Sequence, residues 1–450
     1  MNFADNNLYP EKEQAEFRLL NSTDTASLRQ VFESAKTDYV LLAKQSQGLQ
    51  FCPDGLFRLQ QVADDSGAGM VYANYLQIQE GQTKAHPLNP CQRGSIRDDF
   101  DFGACCLIRR EAAIKVLQDH PENYPYAGFY DLRLRLSEHF PIVQLEEYLY
   151  SLQTDNKENN EKAQFAYVDP KNREYQLEME AACTAHLKRI GAWLAPGAES
   201  PELSRESFPS EATVIIPVRN RARTIADAVH SALNQECSFD FNLIVVDNHS
   251  TDGTAEILNN LAVNDARLTV LCPESKQLNI GGCWNLAVKH RLCGRFAVQL
   301  DSDDIYSSPH SLERIVKAFY QEQAAMVVGS YRICDFELNT LPPGLIDHRE
   351  WTEENGRNNA LRINGLGAPR AFFTPVLRKN LLPNTSYGED YAVCLRISRR
   401  WKVARVYEEL YLCRRWEGNS DAQLDLKSLN ANNAYKDKLR SLEIMARQAL

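Results

Sequence analysis

Three carboxylates stand within four residues at the end of an apolar run. The segment Leu300 to Asp304, LDSDD, follows FAVQ, which has the composition of a buried strand. Anions this close repel one another unless a cation lies among them. Mg²⁺ or Mn²⁺, held by one or two carboxylates together with phosphate oxygens, would supply that cation. For this motif alone, the alternative is an aspartate-rich turn that caps a helix beginning near Pro309.

The surrounding sequence predicts the elements that would position these carboxylates. From Thr213 onward, β-branched runs alternate with segments of helical periodicity, and each predicted strand ends in polar residues. This alternation predicts an α/β domain with parallel strands, which binds ligands at the carboxyl ends of its strands. The predicted elements are, in order, TVIIPV, the helix RTIADAVHSALNQ, NLIVVD, a helix around Thr254 to Leu261, RLTVLC, a helix around Trp284 to His290, and FAVQL.

Five segments resemble, in order and spacing, the family 2 glycosyltransferases, which have the GT-A fold. They are TVIIPVRNRARTIADAVHSALNQ, IVVDNHSTDGT, NIGGCWNLAV, LDSDD and GEDY, and they span about Thr213 to Ser420. The resemblance implies an α/β, Rossmann-like nucleotide-sugar transferase domain. It also implies a nucleotide-sugar donor, expected to be UDP-linked, and Mn²⁺ or Mg²⁺ as the cofactor.

The resemblance further implies roles for residues on the donor side. Asp301 and Asp303 match the metal-binding DxD motif, with Asp303 as the more direct ligand. Asp247 matches the acid that contacts the uracil base, although it could instead cap the following turn. Gly281 allows close approach of the backbone to the donor, a reading that is compatible with a tight start to a helix. The predicted donor-binding residues are Pro217, Val218, Arg219, Asn220, Asp247, Lys276, Asn279, Gly281, Asn285, Asp301, Ser302 and Arg415.

GEDY, at Gly388 to Tyr391, resembles the family's catalytic motif. The resemblance implies that Asp390 is the general base that deprotonates the acceptor hydroxyl, with Glu389 in a supporting role. A single displacement by that hydroxyl inverts the anomeric centre. An acidic helix N-terminus stabilised by the helix dipole would explain the charges but not the match.

One departure concerns the segment YLCRRWEGNS that begins at Tyr411. Family members often carry a metal-binding histidine where this sequence has Trp416, so a third metal ligand from this segment is in question. We expect Arg414 or Arg415 to pair with phosphate, because a guanidinium offers two parallel N–H donors.

The first half of the chain repeats part of this pattern. AGMVYANYLQI from Ala68 lies over AAMVVGSYRIC from Ala324, and the segment from Tyr126 matches the segment from Tyr387. Such self-similarity indicates a duplicated structural unit, the alternative being chance likeness of amphipathic segments. Where the second half has DSDD, the first has Lys44, Gln45, Ser46 and Gln47, and Gly128 and Phe129 replace Glu389 and Asp390.

These replacements predict a division of the chain. The first domain lacks a DxD motif, and too few residues precede its first matched strand for two nucleotide-binding βα units. We therefore expect a truncated, catalytically inactive α/β domain related to the glycosyltransferase domain, over residues 1–194. A linker rich in proline, serine and glutamate follows at 195–210, and the catalytic GT-A domain with a C-terminal helix occupies 211–450.

Composition limits the partners and the location. The 450 residues carry a formal net charge of −10, so a continuous nucleic-acid-binding surface is not expected. The chain begins with an acidic, polar segment and has no apolar run near the roughly 20 residues that span a bilayer. We therefore expect a cytoplasmic protein with no transmembrane segment, and peripheral membrane contact is left open. Its twelve cysteines predict buried thiols, with neither disulfides nor structural zinc.

The expected function is inverting transfer of a sugar to a hydroxyl of a glycan, lipid-linked saccharide or other acceptor. This reaction would serve glycan or cell-surface polysaccharide biosynthesis. A nucleotidyltransferase on a similar fold is one alternative, although VRNRAR lacks the glycines of a phosphate loop. A non-catalytic saccharide-binding scaffold is the other.

Overall fold

The chain forms two compact units in a computed structural model. The structure describes residues 15–44, 48–118, 122–153, 173–204, 206–419 and 424–450. Within those residues, the first unit contains the chain up to Gln164 together with Lys171–Trp193 and Leu426–Ile444. The second unit is mainly Leu194–Asp425. The replacements at Gln45 to Gln47 and the final Ser420 of the expected site region lie outside the described residues.

The C-terminal helix belongs mostly to the first unit, whereas the sequence placed it with the second domain. It spans Leu426–Gln448, and the first unit takes it as far as Ile444. Helical periodicity shows that a face is apolar but does not specify the core that covers it. Among the described residues, no helix combines the length and hydropathy that a membrane crossing requires.

The first unit has a mixed sheet of seven described strands. They are β1 (Ala15–Leu19), β2 (Tyr39–Ala43), β3 (Leu49–Phe51), β4 (Met70–Gln79), β5 (Gln82–His86), β6 (Cys105–Arg109) and β7 (Ile142–Gln153). The strand order is β1-β2-β6-β4-β7-β3, and β5 pairs with β4. The helices are α1 (Thr25–Ser34), α2 (Gly55–Ser66), α3 (Arg110–Gln118), α4 (Gly128–His139) and α5 (Arg173–Arg189).

The second unit has a mixed sheet of nine described strands. They are β8 (Ala212–Val218), β9 (Phe241–Asp247), β10 (Leu268–Leu271), β11 (Phe296–Gln299), β12 (Ile305–Tyr306), β13 (Met326–Cys334), β14 (Thr340–Ile346), β15 (Arg370–Phe373) and β16 (Val403–Arg414). Their order is β10-β9-β8-β11-β15-β13-β16-β12, with β14 beside β13. The helices are α6 (Ile225–Leu233), α7 (Thr254–Asn264), α8 (Ile280–Lys289), α9 (Ser311–Glu322), α10 (Gly356–Asn359), α11 (Thr374–Lys379) and α12 (Glu389–Ser398). Helix α13 (Leu426–Gln448) follows in the chain and lies mostly in the first unit.

The core of the second unit forms where buried strands meet amphipathic helices. Strand β11 is buried throughout, because a central parallel strand is covered on both faces. Helix α9 buries its apolar stripe, and the ring of Phe319 stacks on that of Phe296 at 4.2 Å. Burial of such large rings stabilises the sheet edge that follows Gln299.

The two sheets repeat one another in strand order and in register. In the first unit, Met70 of β4 pairs with Ile142 of β7, and the register shifts on both sides of Asn74. In the second, β13 and β16 pair in parallel in the same way, with the shifts around Ser330. Met326 and Ser330 stand at the same sequence offset from Met70 and Asn74. Among the described strands, the first sheet has no counterpart of β9 and β10, as expected for a truncated copy.

Candidate active site

Parallel strands bring the predicted donor-binding segments to one edge of the second sheet. Strand β8 pairs in parallel with β9 and with β11, and Val218 lies opposite Asp247. Arg219 and Asn220 follow β8 directly and are exposed. Because the carboxyl ends of parallel strands share one edge, the DSDD segment after β11 lies at the same edge as these residues.

The loops after β8 and β9 are joined by hydrogen bonds. Asn220 has a left-handed φ of 54°, which asparagine tolerates better than most residues, and its Oδ1 accepts from the backbone N–H of Thr251 at 2.8 Å. Asp252 Oδ2 accepts from the N–H of Ala222 at 3.0 Å. Burial favours the neutral acid, but this bond and those from Thr254 outweigh it and hold the pKa of Asp252 below its usual value. The loop that begins at Arg219 is therefore fixed by the loop after β9.

Asp247 is buried at the end of β9 and caps the turn that follows it. Its Oδ1 accepts from the N–H of Ser250 at 3.1 Å, which is the alternative that the sequence left open. Its Oδ2 has no hydrogen-bond partner among the described residues. Contact of Asp247 with a uracil base therefore stays a prediction, with one oxygen already used by the turn.

Of the three aspartates after β11, Asp304 is buried and Asp301 is half-buried. Asp301 Oδ1 accepts from Gln299 Nε2 at 2.9 Å, and Asp304 Oδ1 accepts from the N–H of Arg414 at 2.8 Å. Burial, reinforced by the neighbouring carboxylates, raises the pKa of Asp301 and raises that of Asp304 well above its usual value. Burial and the neighbouring carboxylates therefore disfavour the charged form of both side chains.

Asp303 lies among donors from the segment after β16. Its Oδ2 is 3.3 Å from Trp416 Nε1, 3.2 Å from Asn419 Nδ2 and 3.6 Å from Arg221 Nε. Trp416 thus reaches the carboxylate that the sequence assigned to the metal, and it does so as a hydrogen-bond donor. Oδ1 of Asp303 has no hydrogen-bond partner in the part of the chain that the model describes.

The aspartates fit a metal that is shared with a phosphate group. Across the described residues, no group of three or more His, Cys, Asp or Glu side chains is arranged to hold a metal ion. Asp301 and Asp303 alone would leave most coordination positions to phosphate oxygens and water, an arrangement typical of Mg²⁺ sites. A cation among these carboxylates would offset the mutual repulsion that contributes to their raised pKa values.

Arg414 is engaged by the protein itself. Its Nε donates to the carbonyl of Asp303 at 2.6 Å, and its Nη1 donates to Asp227 Oδ2 at 2.8 Å. These bonds fix the turn that carries Asp303. The N–H of Arg415 donates to Cys334 O at 2.8 Å, and contact of the Arg415 side chain with phosphate stays a prediction.

The predicted catalytic acids begin helix α12. Gly388 precedes the helix with a φ of 74°, which favours glycine. Glu389 is buried with an unpaired Oε2, and burial together with the charge of Asp390 raises its pKa to about 8. Asp390 Oδ2 is half-exposed and pairs with Arg370 Nη2 at 2.9 Å.

Arg370 joins the two carboxylate-bearing segments, and the sequence did not single it out. Its N–H donates to Gln299 Oε1 at 3.1 Å, and Gln299 also binds Asp301. Burial disfavours the charged guanidinium, but anionic groups led by Asp390 outweigh it and raise the pKa of Arg370. The sequence did offer one signal, which is an arginine at the start of the apolar segment RAFF. A charged residue in such a segment is rarely buried without a partner.

Three predicted donor-binding residues hold the loop before α12. Asn285 binds both backbone groups of Leu382, at 2.7 and 3.0 Å. Asn279 contacts Asn384 at 2.7 and 3.1 Å, and a Cβ on Gly281 would lie 1.8 Å from the carbonyl oxygen of Pro383. These residues therefore hold the loop that leads into helix α12. Lys276 is exposed, Pro217 is half-buried, and Ser302 is buried with its carbonyl accepting from Thr224.

The family follows from a comparison with known proteins. Residues 213–381 match the model of Glycosyl transferase family 2. They form a family 2 glycosyl transferase domain. The second unit, which contains this domain, has the α/β, GT-A-like fold that the sequence predicts. The match contains the DxD segment and Arg370, whereas Asp390 and Trp416 lie beyond it.

Two individual relatives match part of this chain at 30% and 34% identity. An uncharacterized glycosyltransferase of Haemophilus influenzae is 30% identical over 129 residues, which cover 29% of this chain and 50% of that protein. A chondroitin synthase of Escherichia coli is 34% identical over 148 residues, 32% of this chain and 20% of that one. The chain thus spans half or less of the length of these relatives.

A solved structure of glucosyl-3-phosphoglycerate synthase from Mycobacterium tuberculosis is also similar. It contains Mn²⁺, UDP and phosphoglyceric acid, and it is 19% identical to this chain. The alignment covers 58% of this chain and 86% of that one, with a TM-score of 0.37.

Proposed function

We propose that the second unit transfers a sugar from a nucleotide donor, expected to be a UDP-sugar, to an acceptor hydroxyl with inversion of the anomeric centre. One observation carries the proposal. A continuous set of contacts runs from Asp301 through Gln299 and Arg370 to Asp390. It links the carboxylates expected at the donor diphosphate to the carboxylate expected at the acceptor, as a displacement at one carbon requires.

The donor end of the site would hold the nucleotide and its diphosphate. Asp301 and Asp303 would bind Mn²⁺ or Mg²⁺ together with the diphosphate, and Asp247 would contact the base. A bound divalent ion supplies positive charge that offsets the charge developing on the leaving diphosphate. Arg221, whose guanidinium lies beside Asp303, helps to fix that carboxylate in place.

The acceptor end requires a base that is ionised at neutral pH. Glu389, with a pKa of about 8, holds its proton at pH 7, whereas Arg370 places a positive charge against Asp390. Asp390 is therefore the available base. It would take the proton of the acceptor hydroxyl while the oxygen bonds to the anomeric carbon and the bond to the diphosphate breaks.

The acceptor proposed here is a saccharide hydroxyl in polysaccharide biosynthesis. Relatives over this domain include chondroitin synthases of Escherichia coli and Pasteurella multocida. Their names describe products assembled from sugars, which favours a growing glycan over a protein or a lipid as the acceptor. A lipid-linked saccharide offers the same hydroxyl chemistry.

A panel of UDP-sugars tests the proposal. The full chain is incubated with each donor, Mn²⁺ and a mixture of oligosaccharide acceptors, and release of UDP is measured. We expect at least one donor to give acceptor-dependent release that the Asp390→Asn variant loses. Release from no donor, or equal release by that variant, would contradict the proposal.

A further inference from the structure

The first unit contains a cavity of about 160 Å³. A cavity of roughly 150 Å³ can hold a single six-membered ring. Aromatic rings form much of its wall, among them Phe100, Phe102, Tyr126 and Phe129. Its polar lining includes Lys44, and its size and lining suit one ring-shaped ligand with a polar substituent.

Strand register shows which part of the fold this cavity occupies. Met70 of β4 pairs with Ile108 of β6, and Met326 of β13 pairs with Phe372 of β15. Cys106 lies two residues before Ile108, and Arg370 lies two residues before Phe372. Cys106 therefore occupies the position on β6 that Arg370 occupies on β15. The strands β2 and β6 are antiparallel neighbours, as β11 and β15 are. When residues are counted along β2 and β11 in the same way, Leu42 corresponds to Gln299 and Lys44 corresponds to Asp301.

The cavity is therefore the counterpart of the candidate active site. Leu42, Lys44, Cys106 and Phe129 all line it. They stand, respectively, for Gln299, Asp301, Arg370 and Asp390 of the second unit. The contacts that link the DxD segment to the base are thus replaced by apolar groups, and the sign of the charge at the first DxD position is reversed. Such a site can bind a ligand but has no carboxylate at the position of the proposed base, Asp390.

Two cations give the cavity an affinity for anions. Lys44 is exposed, and among the described residues its ammonium group has no hydrogen bond or ion pair. Asp101, whose pKa is lowered in part by Lys44, bonds to His86 at 3.3 Å. Arg133 is buried, donates to the carbonyls of Ser95 and Arg97, and stacks over the ring of Tyr130 at 4.7 Å.

The one acidic side chain in the lining is Asp98, against Lys44 and Arg133. The balance of charge is therefore positive. An anionic substituent on the bound ring would give the ammonium of Lys44 the partner that the described residues do not supply.

We propose that this cavity binds one pyranose residue that carries an anionic group, without a metal and without turnover. The C–H faces of the sugar pack on Phe102 and Phe129, and the anionic group pairs with Lys44. A hexuronate carboxylate and a sugar phosphate share this chemistry. The carbohydrate nature of the ligand rests on the proposed function, whereas the charge and the ring size rest on the cavity.

Titration of the full chain in EDTA tests the proposal, because metal-dependent binding in the second unit is then suppressed. D-glucuronate, D-glucose 1-phosphate and D-glucose are compared by calorimetry and by saturation-transfer NMR. We expect an anionic sugar to bind at least tenfold more tightly than glucose. Preference for glucuronate identifies a carboxylate ligand, and preference for the phosphate identifies a phosphorylated one.

Two lysine variants localise the binding. Lys44→Gln should weaken binding of the anionic sugar about tenfold, because a charge-assisted hydrogen bond is lost. Lys84→Gln, an exposed lysine on β5, should leave it unchanged. Equal affinities for glucose and both anions, absence of binding, or an unaffected Lys44→Gln variant would overturn the proposal. Binding of UDP with Mn²⁺ by Lys44→Gln should match wild type, which separates this failure from failure of the proposed function.

Discussion

The two neighbouring acids at the start of α12 differ in their environment, and Arg370 contributes to that difference. Its guanidinium pairs with Asp390 at 2.9 Å, while Glu389 is buried beside it with a pKa raised to about 8. The sequence alone does not distinguish the environments of two adjacent carboxylates. Their difference arises from a strand that precedes them by about twenty residues, and the sequence gives no pairing signal between the two segments.

Asp390→Asn should abolish most of the turnover while donor binding is retained. The amide keeps the size of the carboxylate but cannot accept the acceptor's proton, so kcat should fall by ~10²- to 10⁴-fold with little change in donor KM. Steady-state kinetics and calorimetry with UDP measure the two effects. Glu256→Gln, an exposed acid in the first turn of α7, is the control. A rate within a few-fold of wild type would remove Asp390 from the mechanism.

Arg370 should act as a positioning residue. Arg370→Gln removes the counter-charge of Asp390 and should lower kcat roughly tenfold to a hundredfold, through misplacement of the base. Arg370→Lys keeps the charge but not the two-pronged geometry, so it should recover part of the loss. The pH profile of kcat should shift in Arg370→Gln and less in Arg370→Lys. Identical profiles for all three proteins would reduce Arg370 to a structural role.

Individual elements were predictable where a local pattern defines them. The strands that end at Val218 and Asp247, and the helices α6, α7 and α8, follow from alternating periodicity, and the structure confirms them. The antiparallel placement of β15 between β11 and β13 did not follow. It is a long-range pairing, and short apolar runs such as RAFF carry no register.

Gly281 should be intolerant of a side chain because α8 packs closely on the loop before α12. Alanine normally stabilises a helix relative to glycine by about 1 kcal/mol. Here the added Cβ would meet the carbonyl oxygen of Pro383 at 1.8 Å, so Gly281→Ala should instead lower the free energy of unfolding by about 1–3 kcal/mol.

Urea denaturation of Gly281→Ala and of a matched variant measures this effect. Gly365→Ala is the control, because its Cβ would meet no atom within 4 Å. We expect Gly281→Ala also to lose turnover, since the loop that carries α12 must shift. Equal stability of the two variants would show that the loop yields without cost.

The N-terminus of α12 should make stability depend on pH. The folded protein releases the Glu389 proton near pH 8 and the unfolded chain near its usual value of 4.5. The folded pKa is raised, so this contribution to stability is complete below about pH 4.5 and is lost as the pH rises towards 8. Between these values the slope should reach about 1.4 kcal/mol per pH unit.

Glu389→Gln should remove that slope, because a carboxamide does not titrate. Free energies of unfolding from urea titrations at pH 5, 6, 7 and 8, without added metal, compare the variant with wild type. We expect the wild type to lose stability relative to the variant across this range. Parallel pH dependences would mean that Glu389 titrates normally in the folded protein.

At the scale of the whole molecule, one sheet pattern occurs twice with different chemistry. The offset that relates Met70 to Met326 in the sequence reappears as a common register and a common pair of irregularities in β4 and β13. The repeat was predictable because register depends on side-chain alternation, which the sequence records. The unit to which the C-terminal helix belongs was not predictable, because an amphipathic helix can pack against either core.

Binding of UDP tests the central claim most directly, since it requires neither the donor sugar nor the acceptor. Calorimetry is performed on the full chain with UDP in Mn²⁺, with UDP in EDTA, and on Asp303→Ala with UDP in Mn²⁺. If the second unit is a metal-dependent nucleotide-sugar site, the wild type binds UDP in Mn²⁺, and the other two conditions weaken binding at least a hundredfold, because the cation that joins Asp303 to the diphosphate is lost. Equal affinity in EDTA, or no binding in any condition, would contradict the account.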